Sequence, residues 1–124
     1  VIDMPAPEQM CEVVAAYFKA FDNADADAIA ALFADKAQVH DPVGSDPHIG
    51  IKAIRAFYGS SVEMKPKLTQ QGPTRTAGDY AAFAFTVTLV TGQRIDVIDT
   101  FKFDASGKVI EMRAFFGPLN MHGF

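Results

Sequence analysis

The chain reads as an α+β domain, with three N-terminal helices packed on a curved, mainly antiparallel sheet. Three observations predict this. Apolar residues recur at helical spacing up to about residue 58 and at two-residue spacing after Pro66. The short turn segments TGQ and DASGK separate the later apolar runs as hairpin connections would. The 124 residues are 49% hydrophobic and include eleven Phe, enough for one enclosed core. No repeat or linker divides them, so residues 1–124 are expected to form a single domain.

The elements follow in order. Pro5 and Pro7 precede EQMCEVVAAYFKAFDNADA, where Met10, Val13, Val14, Tyr17 and Phe21 form one stripe. Asp25 or Asp27 is the expected cap of a short second helix, with Ile29, Leu32 and Phe33 as its buried side. AQVHDPV, residues 37–43, is expected as a brief strand stopped by Pro42. The loop GSDPHIG then leads into a third helix, IKAIRAFYG, carrying Ile51, Ile54, Phe57 and Tyr58. A weak strand covers roughly 68–75. Clear alternation follows in YAAFAFTVTLV, through Phe83, Phe85, Val87 and Leu89. It continues in RIDVIDTFKF, through Ile95, Val97, Phe101 and Phe103, and in VIEMRAFFG, through Ile110, Met112, Ala114 and Phe116.

Composition narrows the function. Eleven basic residues stand against fifteen acidic ones, for a net charge of −4, and no Arg/Lys run appears. A nucleic-acid partner is not expected. Cys11 is the only cysteine, so no intrachain disulfide can form, and a lone helical cysteine is ordinarily packing. VIDMPAPEQM carries neither a basic leader nor an apolar signal core, and no run approaches a membrane span. A cytoplasmic protein without a membrane partner is the expectation. His40, His48 and His122 lack ligand spacing, so no metal is expected. GSDPHIG lacks the lysine and glycine spacing of a phosphate loop.

Four polar groups fall in the wrong phase. In RIDVIDTFKF, Asp99 shares a face with Val97 and Phe101. An unpaired ionised carboxylate there costs several kcal/mol. In AQVHDPV, the side of Ala37, Val39 and Val43 also carries Asp41, and Pro42 has no N–H for a neighbouring strand. Tyr17 continues the buried stripe of the first helix, and Tyr58 lies one turn after Ile54. Singly, an inward Asp is usually satisfied by backbone amides or a nearby cation, and an inward Tyr is usually core. Together, two phenols and two carboxylates from four elements can meet in one apolar pocket, and no Lys or Arg shares the face of Asp99 or Asp41. Burial pushes the pKa values of two such carboxyls apart. The deeper acid stays protonated and donates, and the shallower one remains an anion and accepts. That set suits proton transfer beside a carbonyl and needs no metal or organic cofactor.

Here the sequence resembles the bacterial Δ5-3-ketosteroid isomerases over nearly its whole length. The matching segments are VVAAYFKAF, LFADKAQVHDPVGSDP, AIRAFY, AAFAFTV, VIDTFKF and MRAFFG. This family is itself the standing example of a carboxylic acid kept neutral at neutral pH. The resemblance implies a cone-shaped fold like that of nuclear transport factor 2, a homodimer across the open sheet, a steroid substrate and no cofactor. It implies that Asp41 carries a proton from C4 to C6 of a 3-oxo-Δ5-steroid. Tyr17 and protonated Asp99 would hold the C3 oxygen, and Tyr58 would hold Tyr17. Phe116 falls where the family has an aromatic beside the base. Phe83, Phe85, Val97, Phe101 and Met112 are expected to line the ring pocket. Phe33 stands where some relatives place a third tyrosine. Thr74, Thr76, Thr86 and Thr88 alternate on outward faces, as a dimer surface or a solvated one would.

Two other classes stay open. One is an isomerase or cyclase acting on another polycyclic ketone, and the other is a non-catalytic domain binding an apolar ligand. A two-carboxylate glycoside hydrolase ranks below both, since it calls for a polar cleft.

Overall fold

A computed structural model describes residues 4–124. The expected leader-free start, residues 1–10, therefore lies partly outside the described residues. Helix α1 spans Pro7–Asp22, with Pro at its first position and the Gln9 side chain accepting the Ala6 N–H at 2.8 Å. Met10, Val14, Tyr17 and Phe21 form its buried stripe, at spacings of four, three and four residues. Asp25 caps α2 (Ala26–Ala30) by accepting the Ala28 N–H at 3.0 Å. Helix α3 runs Ile51–Glu63 and buries Ile54, Tyr58 and Val62.

The strands are β1 (Phe33–His40), β2 (His48–Ile49), β3 (Lys67–Gln70), β4 (Arg75–Ala77), β5 (Tyr80–Thr88), β6 (Arg94–Phe103), β7 (Val109–Phe115) and β8 (Met121–His122). They form one sheet in the order β2-β1-β7-β6-β5-β3, with β4 also on β5 and β8 also on β6. Every pair is antiparallel except β1 with β7, which is parallel. The core lies between the helices and one sheet face, where Phe83, Phe85, Phe101, Phe103 and Met112 are buried.

Five local expectations change. Phe33, expected on the second helix, opens β1, because α2 closes at Ala30 and Leu32 lies in the turn. β1 consequently begins four residues earlier than expected. Within the expected loop, His48 and Ile49 pair with Val39 and Gln38. The weak strand at 68–75 is two strands, divided where Gly72 takes a φ of +80°. In β7 the register slips between Lys102↔Glu111 and Phe103↔Val109, leaving Ile110 as a bulge. Val109 is therefore the core residue and Ile110 only half-buried. Val43, expected on the buried side of the first strand, lies beyond its end and is exposed.

Gly50 ties α3 to the sheet. Its N–H donates to the Ala37 carbonyl at 2.9 Å, and its own carbonyl accepts the Ile54 N–H at 3.0 Å. Its φ of 87° and ψ of 156° lie in a region essentially limited to glycine. Gly50→Ala is expected to cost ~1–3 kcal/mol. Gly59→Ala, in mid-helix, is expected to gain ~0.5–1 kcal/mol, since its Cβ meets only the mobile end of Arg55. Urea denaturation of both variants checks the pair, and equal midpoints would remove the constraint assigned to Gly50.

Candidate active site

The sheet register places the two carboxylates. Asp99 on β6 lies opposite Phe83 of β5 on one side and Ala114 of β7 on the other. On the far side of β7, the β1 register pairs His40 with Arg113, so the next residue, Asp41, falls beside Ala114. The ladder breaks at Asp41 and Pro42, then makes one more bond as the Val43 N–H donates to the Ala114 carbonyl at 2.9 Å. Asp41, Ala114 and Asp99 thus form a row across three adjacent strands. At the usual strand spacing the two acids' Cα atoms stand roughly 10 Å apart, with one methyl group between them.

The helices supply the phenols. The Tyr17 hydroxyl from α1 and the Tyr58 hydroxyl from α3 are hydrogen-bonded at 3.1 Å, and their rings meet edge-on at 5.8 Å. Phe21 and Phe101 pack edge-on against Tyr17 at 5.1 and 5.2 Å, and Phe57 against Tyr58 at 5.0 Å. Phe33 lies 5.7 Å from Tyr58, so the ring at that position adds no hydroxyl to the pair.

These groups border a cavity of about 180 Å³. Of the sequence-expected residues, Tyr17, Asp41, Asp99, Phe85, Val97 and Phe116 line it. Phe83, Phe101 and Met112, expected in the lining, are packed outside it and are at most 1% exposed. Strand phase identified the right face for all three. The Tyr17 ring of α1 packs edge-on against Phe83 and Phe101. Tyr58 reaches the site only through the Tyr17 hydroxyl. Ser61, Met64 and Leu68 also border the cavity. Ser61 and Met64 were missed because the third helix was expected to end at Gly59, although Val62 continues the spacing of Ile54 and Tyr58. Leu68 lies on the weakly alternating strand β3, where no phase singled it out. A shallower hollow of about 710 Å³ opens on the other face of the sheet, beside Ile98 and Phe115. Its one carboxylate, Asp96, faces Arg94 at 3.2 Å and His122 at 3.0 Å.

Burial sets the electrostatics. Asp99 is 1% exposed, and among the described residues its Oδ1 has no hydrogen-bond partner. Burial holds its carboxyl well above the usual carboxylate range, and the nearby charge of Asp41 pushes it the same way. Asp41 is only partly buried, and desolvation raises it to about 6. Burial also pushes both phenols upward. Tyr17 is raised further by Tyr58, Asp99 and Asp41. Burial thus biases Asp99 and the two phenols toward their neutral forms, while the shallower Asp41 is raised only to about 6 beside the same apolar space. Among the described residues, no three His, Cys, Asp or Glu side chains cluster as metal ligands, and no helix is long and apolar enough to cross a membrane.

Comparison with known proteins places the fold and the family. The SnoaL-like domain family matches residues 14–112. A steroid Delta-isomerase of Nocardioides simplex is 40% identical over 111 residues, covering 87% of this chain and 89% of that protein. The solved structure of SalBIII, described as an epoxide hydrolase/cyclase-like enzyme in pyran ring formation in the polyether salinomycin, superposes with a TM-score of 0.85. The two are 28% identical, and the match covers 92% of this chain and 95% of that one. With its three helices on an open curved sheet, the chain belongs to the SnoaL-like family of the nuclear transport factor 2-like fold, as a ketosteroid isomerase-like protein.

Proposed function

We propose that the protein is a steroid Δ-isomerase, converting 3-oxo-Δ5-steroids into 3-oxo-Δ4-steroids. One observation carries this reading: Asp99, a buried carboxyl whose Oδ1 has no hydrogen-bond partner among the described residues, shares a cavity with Tyr17 and with a second carboxylate one alanine away. The 40% identity to a steroid Delta-isomerase supports the choice of substrate.

The substrate's C3 oxygen accepts hydrogen bonds from Tyr17 and from protonated Asp99. Asp41, mostly ionised at neutral pH, takes a proton from C4, and the C–H electrons move onto the C3 oxygen as a dienolate forms. Asp41 then returns the proton at C6, which regenerates the base and conjugates the double bond with the ketone. The reaction changes no oxidation state, so acid–base groups suffice and no cofactor is called for. A general base contributes about 10²–10⁴-fold, and each oxyanion donor on the order of 10²–10³. Tyr58 positions Tyr17 through their shared hydrogen bond; with Tyr58 as its donor, the Tyr17 proton is left for the ligand. Phe85, Val97 and Phe116 face the rings, and Phe83, Phe101 and Met112 pack beside them on the same side of the sheet. The reading includes a homodimer across the open sheet face, where Ile98 and Phe115 are exposed, and a cytoplasmic setting.

The similarity to SalBIII, described as cyclase-like, keeps one alternative in view, an isomerase or cyclase acting on another polycyclic ketone. Steroid and non-steroid ketones assayed side by side separate the two. A binding module would turn over neither.

The decisive assay follows enone ultraviolet absorbance after mixing with a 3-oxo-Δ5-steroid. Asp41→Asn is expected to lower turnover about 10²–10⁴-fold, and near-normal turnover would displace Asp41 as base. In the wild type, kcat/KM should rise with pH through about 6 as Asp41 ionises, and fall at whatever higher pH Asp99, whose pKa burial raises, loses its proton. A flat profile across pH 5 to 7 contradicts the base assignment.

Stability runs the opposite way. The folded-state pKa of Asp41 is raised, so its contribution is full below about 4 and is lost as pH climbs through about 6. Asp41→Asn should therefore gain on the wild type by up to ~3 kcal/mol between pH 4 and 8, read by denaturation at both values. Asp99→Leu removes a buried polar oxygen without a partner. It should raise Tm, since such a group costs about 1–3 kcal/mol, while slowing turnover on the order of 10²–10³-fold. A lowered Tm would mean that Asp99 is structural.

A further inference from the structure

Four polar side chains border the cavity: Tyr17, Asp41, Asp99 and Ser61. The proposed reaction uses the first three. Ser61 belongs to the stripe of α3 that faces the cavity, four residues after Phe57 and three before Met64, both of which also line it. It lies about 4.5 Å along the helix axis from Tyr58 and about 4.5 Å before Met64, at 1.5 Å per residue. The α3 wall thus runs from the tyrosine pair to the exposed Met64 at the rim, with one hydroxyl midway.

The state of that hydroxyl is defined. Ser61 Oγ donates to the Phe57 carbonyl at 3.0 Å, a bond to the preceding helical turn. A serine in this posture usually faces water, which fills its remaining acceptor sites. Here the residue borders a cavity whose lining also includes Phe57, Phe85, Val87 and Leu89. With its own proton committed to Phe57, Ser61 presents only lone pairs, so its complement on a ligand is a hydrogen-bond donor. A ketone or ether oxygen at that point would meet another acceptor.

We propose that Ser61 is a second polar anchor of the cavity, which accepts a hydrogen bond from a hydroxyl group carried on the ring system of the ligand. The proposal rests on the reading of the cavity as a polycyclic-ketone site and narrows its substrate class. The preferred ligand is a hydroxylated polycyclic ketone. Its carbonyl is held by Tyr17 and Asp99, and its hydroxyl lies along the α3 wall. Met64 and the neighbouring Leu68 then cover only apolar parts of the ligand.

The test reads binding, so it does not depend on turnover. A 3-oxo-Δ4-steroid and a set of its singly hydroxylated regioisomers are titrated calorimetrically into the wild type, Ser61→Ala and Ser61→Thr. The quantity read is the Kd of each regioisomer divided by that of the parent in the same protein. For one regioisomer, Ser61→Ala is expected to shift this ratio about fivefold against the hydroxyl, as the loss of one net hydrogen bond would. Ser61→Thr, which keeps an Oγ, should restore it. If no regioisomer's ratio moves more than twofold in Ser61→Ala, the anchor is overturned while the parent's binding leaves the steroid reading intact. If the parent fails to bind the wild type, the steroid reading falls and this proposal falls with it.

Discussion

The structure depends on keeping one carboxyl dry. Asp99 is closed in by the aromatic packing of Phe83, Phe101 and Tyr17. Ionising it there would leave an unpaired charge in a medium that solvates charge poorly, so the proton stays. The same dryness keeps Tyr17 and Tyr58 protonated. Asp41 escapes in part because β1 ends one residue earlier and the chain turns outward at Pro42. A single gradient of burial along one row of the sheet thus separates a donor from a base that share the same side-chain chemistry.

That row exists because of strand pairing that the helices cannot supply. The parallel β1–β7 contact brings the end of β1 beside Ala114, and the antiparallel β6–β7 contact brings Asp99 to its other side. A one-residue slip in either ladder would turn one carboxylate to the opposite face of the sheet. The bulge at Ile110 lies between the turn and Met112, upstream of the row. The register beyond it is uninterrupted from Phe101↔Met112 to Ile98↔Phe115. Alanine at 114 is the residue type that leaves space between the two acids. A longer side chain there would fill part of the cavity that Ala114 borders.

Much of this is legible in the sequence, and the omissions have physical causes. Phase alone put Asp99, Asp41, Tyr17 and Tyr58 on inward faces, because strands and helices repeat regularly and a polar residue in an apolar stripe stands out. Phase could not place the Ile110 bulge, since no glycine or proline marks it and Val109 is as apolar as Ile110. It also could not separate Phe85, which lines the cavity, from Phe83, which does not, although they alternate on one strand. That difference depends on how far α1 extends over the sheet. The parallel pairing of β1 with β7 joins residues more than seventy positions apart, and no local pattern carries it. The α3 wall was missed because Gly59 looks like a stop, whereas a helix tolerates an interior glycine at a cost of only ~1 kcal/mol.

A dry acid and a selective pocket make opposing demands. Polar side chains read a ligand's functional groups, yet a hydrogen-bond donor placed beside Asp99 would stabilise its anion and draw its pKa down. Selectivity must therefore come from groups that are distant from Asp99 or whose own protons are committed elsewhere. Ser61 is positioned on both counts. It sits a helical turn beyond Tyr58, and its proton is bound to the Phe57 carbonyl. The Tyr17–Tyr58 pair follows the same logic, with one phenol proton satisfied inside the pair so that the other can face the ligand. Walls built from apolar side chains and internally satisfied hydroxyls add no donor beside the buried acid, so under the proposed reading the cavity can select a ligand without drawing that acid toward its anion.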